Sequence, residues 1–262
     1  MTDCHVHIER GEYTLEWIRR FINTAVTRGI DELWLLEHSY RFHEFVPMYR
    51  EIYAASADIS GDYFKSWLDR KMGVSALADY LALCEKVRRE LAPSIPVKIK
   101  FGLEVCYFEG AENFVKSIFD GTNLDFCTGS IHYIDNFPFD HTNIPWDGVD
   151  VDDAYNRFFE MSVNLANSGV FSVLAHPDSI KVAGHSPSFP LTAHYEKLAA
   201  ALAKNDMYAE QNSGVSRRSS AEWGMDKEFI DILKRHGVKI ITASDAHYPD
   251  DVGLLEPDSD AN

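Results

Sequence analysis

Apolar residues recur along this chain in two alternating periods. Short runs of β-favouring residues occupy 2–7, "ELWLLEH" (32–38), "VKIKFGLEV" (97–105), "LDFCTGSIH" (124–132), "VFSVLAHP" (170–177), "MYAEQN" (207–212) and "VKIITASD" (238–245). Between them, residues 14–28, 74–91, 111–120, 150–168, 191–205 and 223–236 carry apolar side chains at helical spacing. Gly29, Gly169 and Gly237 each follow a helical stretch where a C-cap belongs. Strands alternating with helices predict an α/β fold with a parallel sheet, and seven such units predict a barrel. There is no internal repeat, low-complexity tract or linker-like segment, so residues 1–262 read as a single domain. Residues 39–73, rich in Tyr, Phe and charge, are long for a βα loop and read as an insertion covering a site.

Polar residues interrupt the pattern at one recurrent place. Asp3, His5 and His7 lie on the first run, Glu37 and His38 close the second, and Glu104 the third. His132 closes the fourth, His176 the fifth, Glu210 and Asn212 the sixth, and Asp245 with His247 the seventh. In parallel α/β folds, sites assemble at this carboxyl end of the strands. Side chains alternate along a strand, so His5 and His7 share a face, and Asp245 and His247 do so if the last strand runs that far. A lone strand-end His more often caps a helix or satisfies a backbone group. Six strand ends with metal-binding side chains are hard to attribute to chance.

Composition adds limits. With 45% hydrophobic and 25% charged residues, the chain reads as an ordinary soluble enzyme. No apolar run of about 18 residues predicts a membrane span. The start lacks a secretory pattern, and the four cysteines (4, 84, 106 and 127) form no C-x-x-C pair, so a reducing cytoplasm is expected. A net charge of −16 argues against nucleic-acid or membrane-surface binding. It also disfavours an anionic substrate unless positive charge is concentrated in the site, as a metal cluster would do. Imidazoles with carboxylates and no thiolate cluster suit zinc, manganese or iron, and the donors exceed what one ion can use. Two metals sharing a water lower its pKa and clamp the attacking and leaving oxygens of phosphoryl transfer.

The segments "DCHVH", "LLEHS", "FGLEV", "GSIHY", "LAHPDSIK", "EQNSG" and "SDAHYPDDVG", in this order from Asp3 to Gly253, resemble the polymerase-and-histidinol-phosphatase (PHP) superfamily. "HPDSIK", "EQNSGVSRR" and "SDAHYPDDVG" look most like its histidinol-phosphate phosphatase branch. The resemblance implies a distorted (β/α)7 barrel with three divalent metals that hydrolyses phosphomonoesters. It assigns His5, His7, Glu104 and Asp245 to one ion, and Glu104 as a bridge with His132 and His176 to a second. The third takes His38, His247 and a ligand from the loop after the first strand. Relatives often place a histidine in that loop; here "HIERGEY" offers Glu9, with Glu12 in reserve.

The same resemblance implies basic substrate contacts at Lys181 and at Arg217 or Arg218, with Arg41 a weaker candidate. Arginine grips phosphate as a fork and lysine as a point charge. A hydroxide held between metals would attack phosphorus, with Asp245 and His247 placed to pass a proton as well as to bind metal. L-Histidinol phosphate is the substrate to test first. Glu210 and Asn212 could receive a substrate amine, orient a ligand or tie down their loop, and Asp178 could cap the next segment or orient a ligand. His43, His141, His185, His194 and His236 have no placed role, and Tyr40, Phe42, Phe45 and Tyr49 either wall the pocket or pack the insertion. The rival readings are a phosphoesterase for nucleotides or oligonucleotides, a metal-dependent amide hydrolase, and a metal-binding regulatory module without turnover.

Overall fold

The computed structural model describes residues 1–60, 62–141, 143–214, 217 and 224–255. Seven parallel strands follow one another around a distorted (β/α)7 barrel in chain order. They are β1 (Thr2–His7), β2 (Glu32–His38), β3 (Lys98–Cys106), β4 (Phe126–Ser130), β5 (Val173–Leu174), β6 (Tyr208–Asn212) and β7 (Lys239–Ala243). A parallel bridge between Val6 and Ala246 joins the last strand's extension to the first, and the His7 amide donates to the Ala246 carbonyl at 2.8 Å. The buried Asp3 carboxylate reinforces the seam by accepting from the Ser244 and Gly253 amides, each at 2.8 Å. Asp3 is therefore a closing strut and not part of the site.

The outer ring comprises α1 (Leu15–Thr27), α4 (Leu77–Glu90), α5 (Glu112–Phe119), α6 (Val151–Asn167), α7 (Thr192–Lys204) and α8 (Lys227–Arg235). Each matches an amphipathic stretch of the sequence. In α1, Ile18, Phe21, Ile22 and Ala25 recur on one buried face, and the Thr14 hydroxyl caps the start by accepting from the Trp17 amide. Gly29, Gly169 and Gly237 all adopt positive φ after their helices, as the C-cap reading requires. No described helix is long and apolar enough to cross a membrane.

Two distortions set up the site. Strand β5 has two residues where the apolar run spans eight, because the chain leaves the ladder through His176 at φ 28°. In β1 the register against β2 slips between Asp3 and Val6. That slip lets Cys4 pack into the barrel floor with Trp34, Leu36, Phe126, Val173 and Ala243, while His7 still pairs in register with Leu36 on the inward side. The apolar floor is sealed below and the polar layer stands above it.

Residues 39–73 form two short 3-10 turns (Ser39–Arg41 and His43–Tyr49) and the helices α2 (Arg50–Ser60) and α3 (Asp62–Lys71). Phe42, Phe45 and Tyr49 are fully buried and pack this segment down, whereas Tyr40 and Trp67 face the cavity above the barrel.

Candidate metal centre

Glu104, at the carboxyl end of β3, is the hub. Five imidazoles lie within 3.5 Å of its oxygens: His38 at 2.7 Å, His176 at 3.2 Å, His7 and His132 at 3.3 Å and His5 at 3.5 Å. Asp245 extends the network to His247 at 3.4 Å, His7 at 3.7 Å and His5 at 3.9 Å. Glu9 sits 2.8 Å from His247 Nδ1 and 3.9 Å from His7 Nδ1, while Glu12 is exposed. All nine residues singled out as ligands thus converge, although they span the chain from residue 5 to residue 247.

Backbone detail explains how the last pair arrives. β7 stops at Ala243, so strand alternation does not align Asp245 with His247. Asp245 instead adopts φ 52°, a turn conformation disfavoured for a side chain with Cβ, and His176 is the second donor with positive φ. Both deviations aim donors inward. Gly214 passes so close to Asp245 that a Cβ there would lie 2.4 Å from the aspartate Cβ. Only glycine fits at the end of the "EQNSG" stretch.

Glu210 and Asn212 have separate tasks. The buried Glu210 carboxylate accepts from His5 Nδ1 at 2.9 and 3.0 Å, from the His176 amide at 3.2 Å and from Asn212 Nδ2 at 3.1 Å. Holding Nδ1–H there leaves His5 Nε2 as a lone pair directed at the cluster. Asn212 ties down the loop by accepting from the Gly214 amide at 2.8 Å.

The charge balance favours cations. Burial opposes protonation of His5, but Glu210 and Glu104 overcome it and raise its pKa well above the usual imidazole value. Burial and the neighbouring His38 and His247 hold His7 well below it. Burial alone would raise Glu104, yet His38, His132 and His5 bring it well below the usual carboxylate range. Burial lowers His132 to about 4 in spite of Glu104. Burial also opposes protonation of His176 and His247, but Glu104 raises the first above the usual imidazole value and Asp245 with Glu9 raises the second. Buried His7 Nδ1 and His176 Nδ1 have no hydrogen-bond partner among the described residues.

Among the described residues, four sets of donors lie close enough to hold an ion: His5, His7 and Asp245; Glu104, His132 and His176; His7, His38 and His247; and His7, Glu9 and Glu37. These imidazole and carboxylate sets, with their orphaned atoms, fit borderline divalent metals. Glu37 was visible at a strand end but had no assigned role. Both its oxygens are buried without a hydrogen-bond partner among the described residues, Arg41 lies 3.5 Å away, and burial with nearby Glu9 pushes its pKa well up.

Above the donors opens a cavity of about 760 Å³ lined by His38, His132, His176, Asp245 and His247. Of the basic candidates, Arg217 lines it while donating to the Ser244 and Leu254 carbonyls. Lys181 is instead held by the Asp178 carboxylate and the Gly224 carbonyl, and Arg41 lies beside Glu37 at 3.5 Å, so neither side chain lines the cavity. Arg218 falls outside the described residues. Arg10 and Lys71 line the cavity and sequence reasoning passed over both, because a lone Arg or Lys in a loop or helix end carries no motif. Arg10 lies 3.3 Å from Glu9 and over the Tyr248 ring. His141, unassigned from sequence, also reaches the lining, packed edge-on against Trp67.

No family model matches the chain. It is 24% identical over 263 residues to the "Probable histidinol-phosphatase" of Deinococcus radiodurans, covering 99% of this chain and 91% of that protein. A histidinol phosphatase-like protein from Listeria monocytogenes superposes with a TM-score of 0.74 at 16% identity, with 97% of each chain covered. The histidinol phosphate phosphatase of Lactococcus lactis, solved with zinc, L-histidinol and phosphate, superposes with a TM-score of 0.66 at 17% identity. That match covers 95% of this chain and 86% of the other. At these identities the structural likeness establishes the barrel.

Proposed function

We propose that this chain is a metal-dependent phosphomonoesterase that hydrolyses L-histidinol phosphate to L-histidinol and phosphate. The observation that carries the reading is the convergence of nine imidazole and carboxylate donors on the Glu104–Asp245 network beneath one cavity. The relatives named above, one solved with zinc and both reaction products, supply the substrate class.

Three divalent ions, zinc among the candidates, would be held by His5, His7, Glu104 and Asp245; by Glu104, His132 and His176; and by His38, His247 and Glu9. When bound, the ions supply Lewis acidity that activates water and neutralises charge on the phosphoryl oxygens. The protein's own side chains do the remaining work. Glu210 fixes the tautomer of His5, and Glu9 does the same for His247 through its Nδ1 contact. Hydrolysis forms a bond from water oxygen to phosphorus and breaks the bond from phosphorus to the ester oxygen. Two protons move: one leaves the water and one reaches the departing alkoxide. We assign these transfers to Asp245 and His247, which lie 3.4 Å apart and both line the cavity. Arg10 and Lys71 would add positive charge beside the phosphate, as would Arg217 from the wall where its guanidinium donates to two carbonyls.

The roof formed by residues 39–73 and the modest cavity favour a small ester over an oligonucleotide. Purified protein loaded with zinc or manganese should release phosphate from L-histidinol phosphate, and His132→Ala should abolish release. Absence of phosphate release from every phosphomonoester tried would refute the assignment.

A further inference from the structure

One wall of the cavity differs in character from the metal-facing side. His38 stacks on Tyr40 with ring centroids 4.8 Å apart, Tyr40 meets Trp67 at 5.4 Å, and Trp67 meets His141 edge-on at 4.7 Å. These contacts form a continuous aromatic strip leading away from the metal ligands. Asp140, the residue before His141 in the chain, also lines the cavity.

Asp140 Oδ1 is buried without a hydrogen-bond partner among the described residues, and no described Lys or Arg lies within 4 Å of that carboxylate. It belongs to none of the donor sets able to hold an ion. The other lining carboxylates differ: Glu9, Glu104 and Asp245 are engaged by imidazoles, and Asp251 sits on the short turn after β7. Asp140 lines the same cavity as the metal-facing His132 and His176. Asp140 is half-buried, and its one buried oxygen left without a partner carries a cost that a cationic ligand group would relieve.

We propose that Asp140 is a specificity residue that receives the ammonium group of an amino-alcohol phosphate, while the Tyr40–Trp67–His141 strip takes the substrate's ring. The inference rests on the phosphatase reading above and adds the group that distinguishes this substrate from other phosphomonoesters. In L-histidinol phosphate the ammonium-bearing carbon is bonded to the carbon that carries the ester oxygen. A phosphate at the metal ligands therefore brings the ammonium close to the adjoining wall. The ammonium is charged throughout the neutral range, whereas the imidazole is largely neutral there, so the fixed carboxylate suits the former. Flat aromatic faces suit the latter.

The test uses the full-length, metal-loaded protein and its Asp140→Asn variant on three esters. These are L-histidinol phosphate, its deamino analogue imidazolylpropyl phosphate, and L-phenylalaninol phosphate, which keeps the amine and changes the ring. Losing a hydrogen bond between charged groups should lower kcat/KM by roughly 10- to 100-fold on the two amine-bearing esters. The deamino ester should change by less than about 3-fold in the same preparation, which also reports that the variant is folded and metal-loaded. Equal losses on all three esters, or no loss on any, would overturn the role of Asp140 and leave the phosphatase assignment standing. Failure of the unaltered protein to hydrolyse any ester would overturn both.

Discussion

Replacing Glu210 by glutamine tests how the metal centre is held from behind. The carboxylate is fully buried and accepts three donors: His5 Nδ1, the His176 amide and Asn212 Nδ2. Glutamine is nearly the same size but offers one acceptor oxygen and turns the other position into a donor. With the amide oxygen in the Oε2 position all three donors keep an acceptor, but the amide NH₂ then faces His5 Nδ1 and is itself left unpaired; the reverse orientation strands the His176 and Asn212 donors. One buried donor left unpaired costs about 1–3 kcal/mol. In a chain of this length, that lowers the melting temperature of the metal-free protein by about 2–12 °C, taking about 2–4 °C for each kcal/mol. His5 would also lose the negative partner that fixes its tautomer and strengthens its lone pair. Changes to such orienting partners typically weaken metal affinity about 10- to 100-fold. The assay is zinc titration against a competing chelator, with bound metal per chain measured in parallel. A Glu210→Gln protein that binds every equivalent of zinc within about 2-fold of the original would refute the orienting role.

Two further outcomes follow from packing and linkage. A Cβ added at Gly102 in β3 would lie 2.4 Å from the Phe126 ring in the barrel floor, so Gly102→Ala should cost about 1–3 kcal/mol of overpacking. Thermal unfolding should show the loss, and adding Phe126→Leu should recover part of it; an unchanged melting temperature would contradict the close approach. Metal removal should destabilise the folded protein, because ions at 100 times their Kd add about 2.7 kcal/mol per site. Dialysis against a chelator should therefore lower the melting temperature and re-addition of zinc should restore it, whereas identical curves would argue that the donor cluster holds no ion.

Much of the architecture was legible because it is written in short-range periodicity. The helix stretch 14–28 became α1 (Leu15–Thr27), and the run 32–38 became β2 with the same bounds. Polar residues at strand ends were equally legible, since a His or Glu closing an apolar run stands out without knowledge of its neighbours. The run 170–177 was less informative. Nothing local announces that the chain leaves the ladder after Leu174, because that departure is imposed by His176 reaching Glu104 across the barrel. Asp245 and His247 illustrate the same limit: they do meet, through a left-handed turn at Asp245 and not through strand alternation.

The sequence by itself determined the order of elements, the barrel and the identity of the donors, because hydrophobic period and residue chemistry are properties of nearby positions. Only the tertiary structure decided which donors touch. It gave Glu210 to His5, Glu9 to His247 and Glu37 to a buried niche beside Arg41, and it drew Lys181 away from the cavity while admitting Arg10, Lys71 and Asp140. Those outcomes depend on strand register and loop paths that join residues up to 238 positions apart, as for Glu9 and His247. No local pattern encodes such distances; the closing of the barrel does.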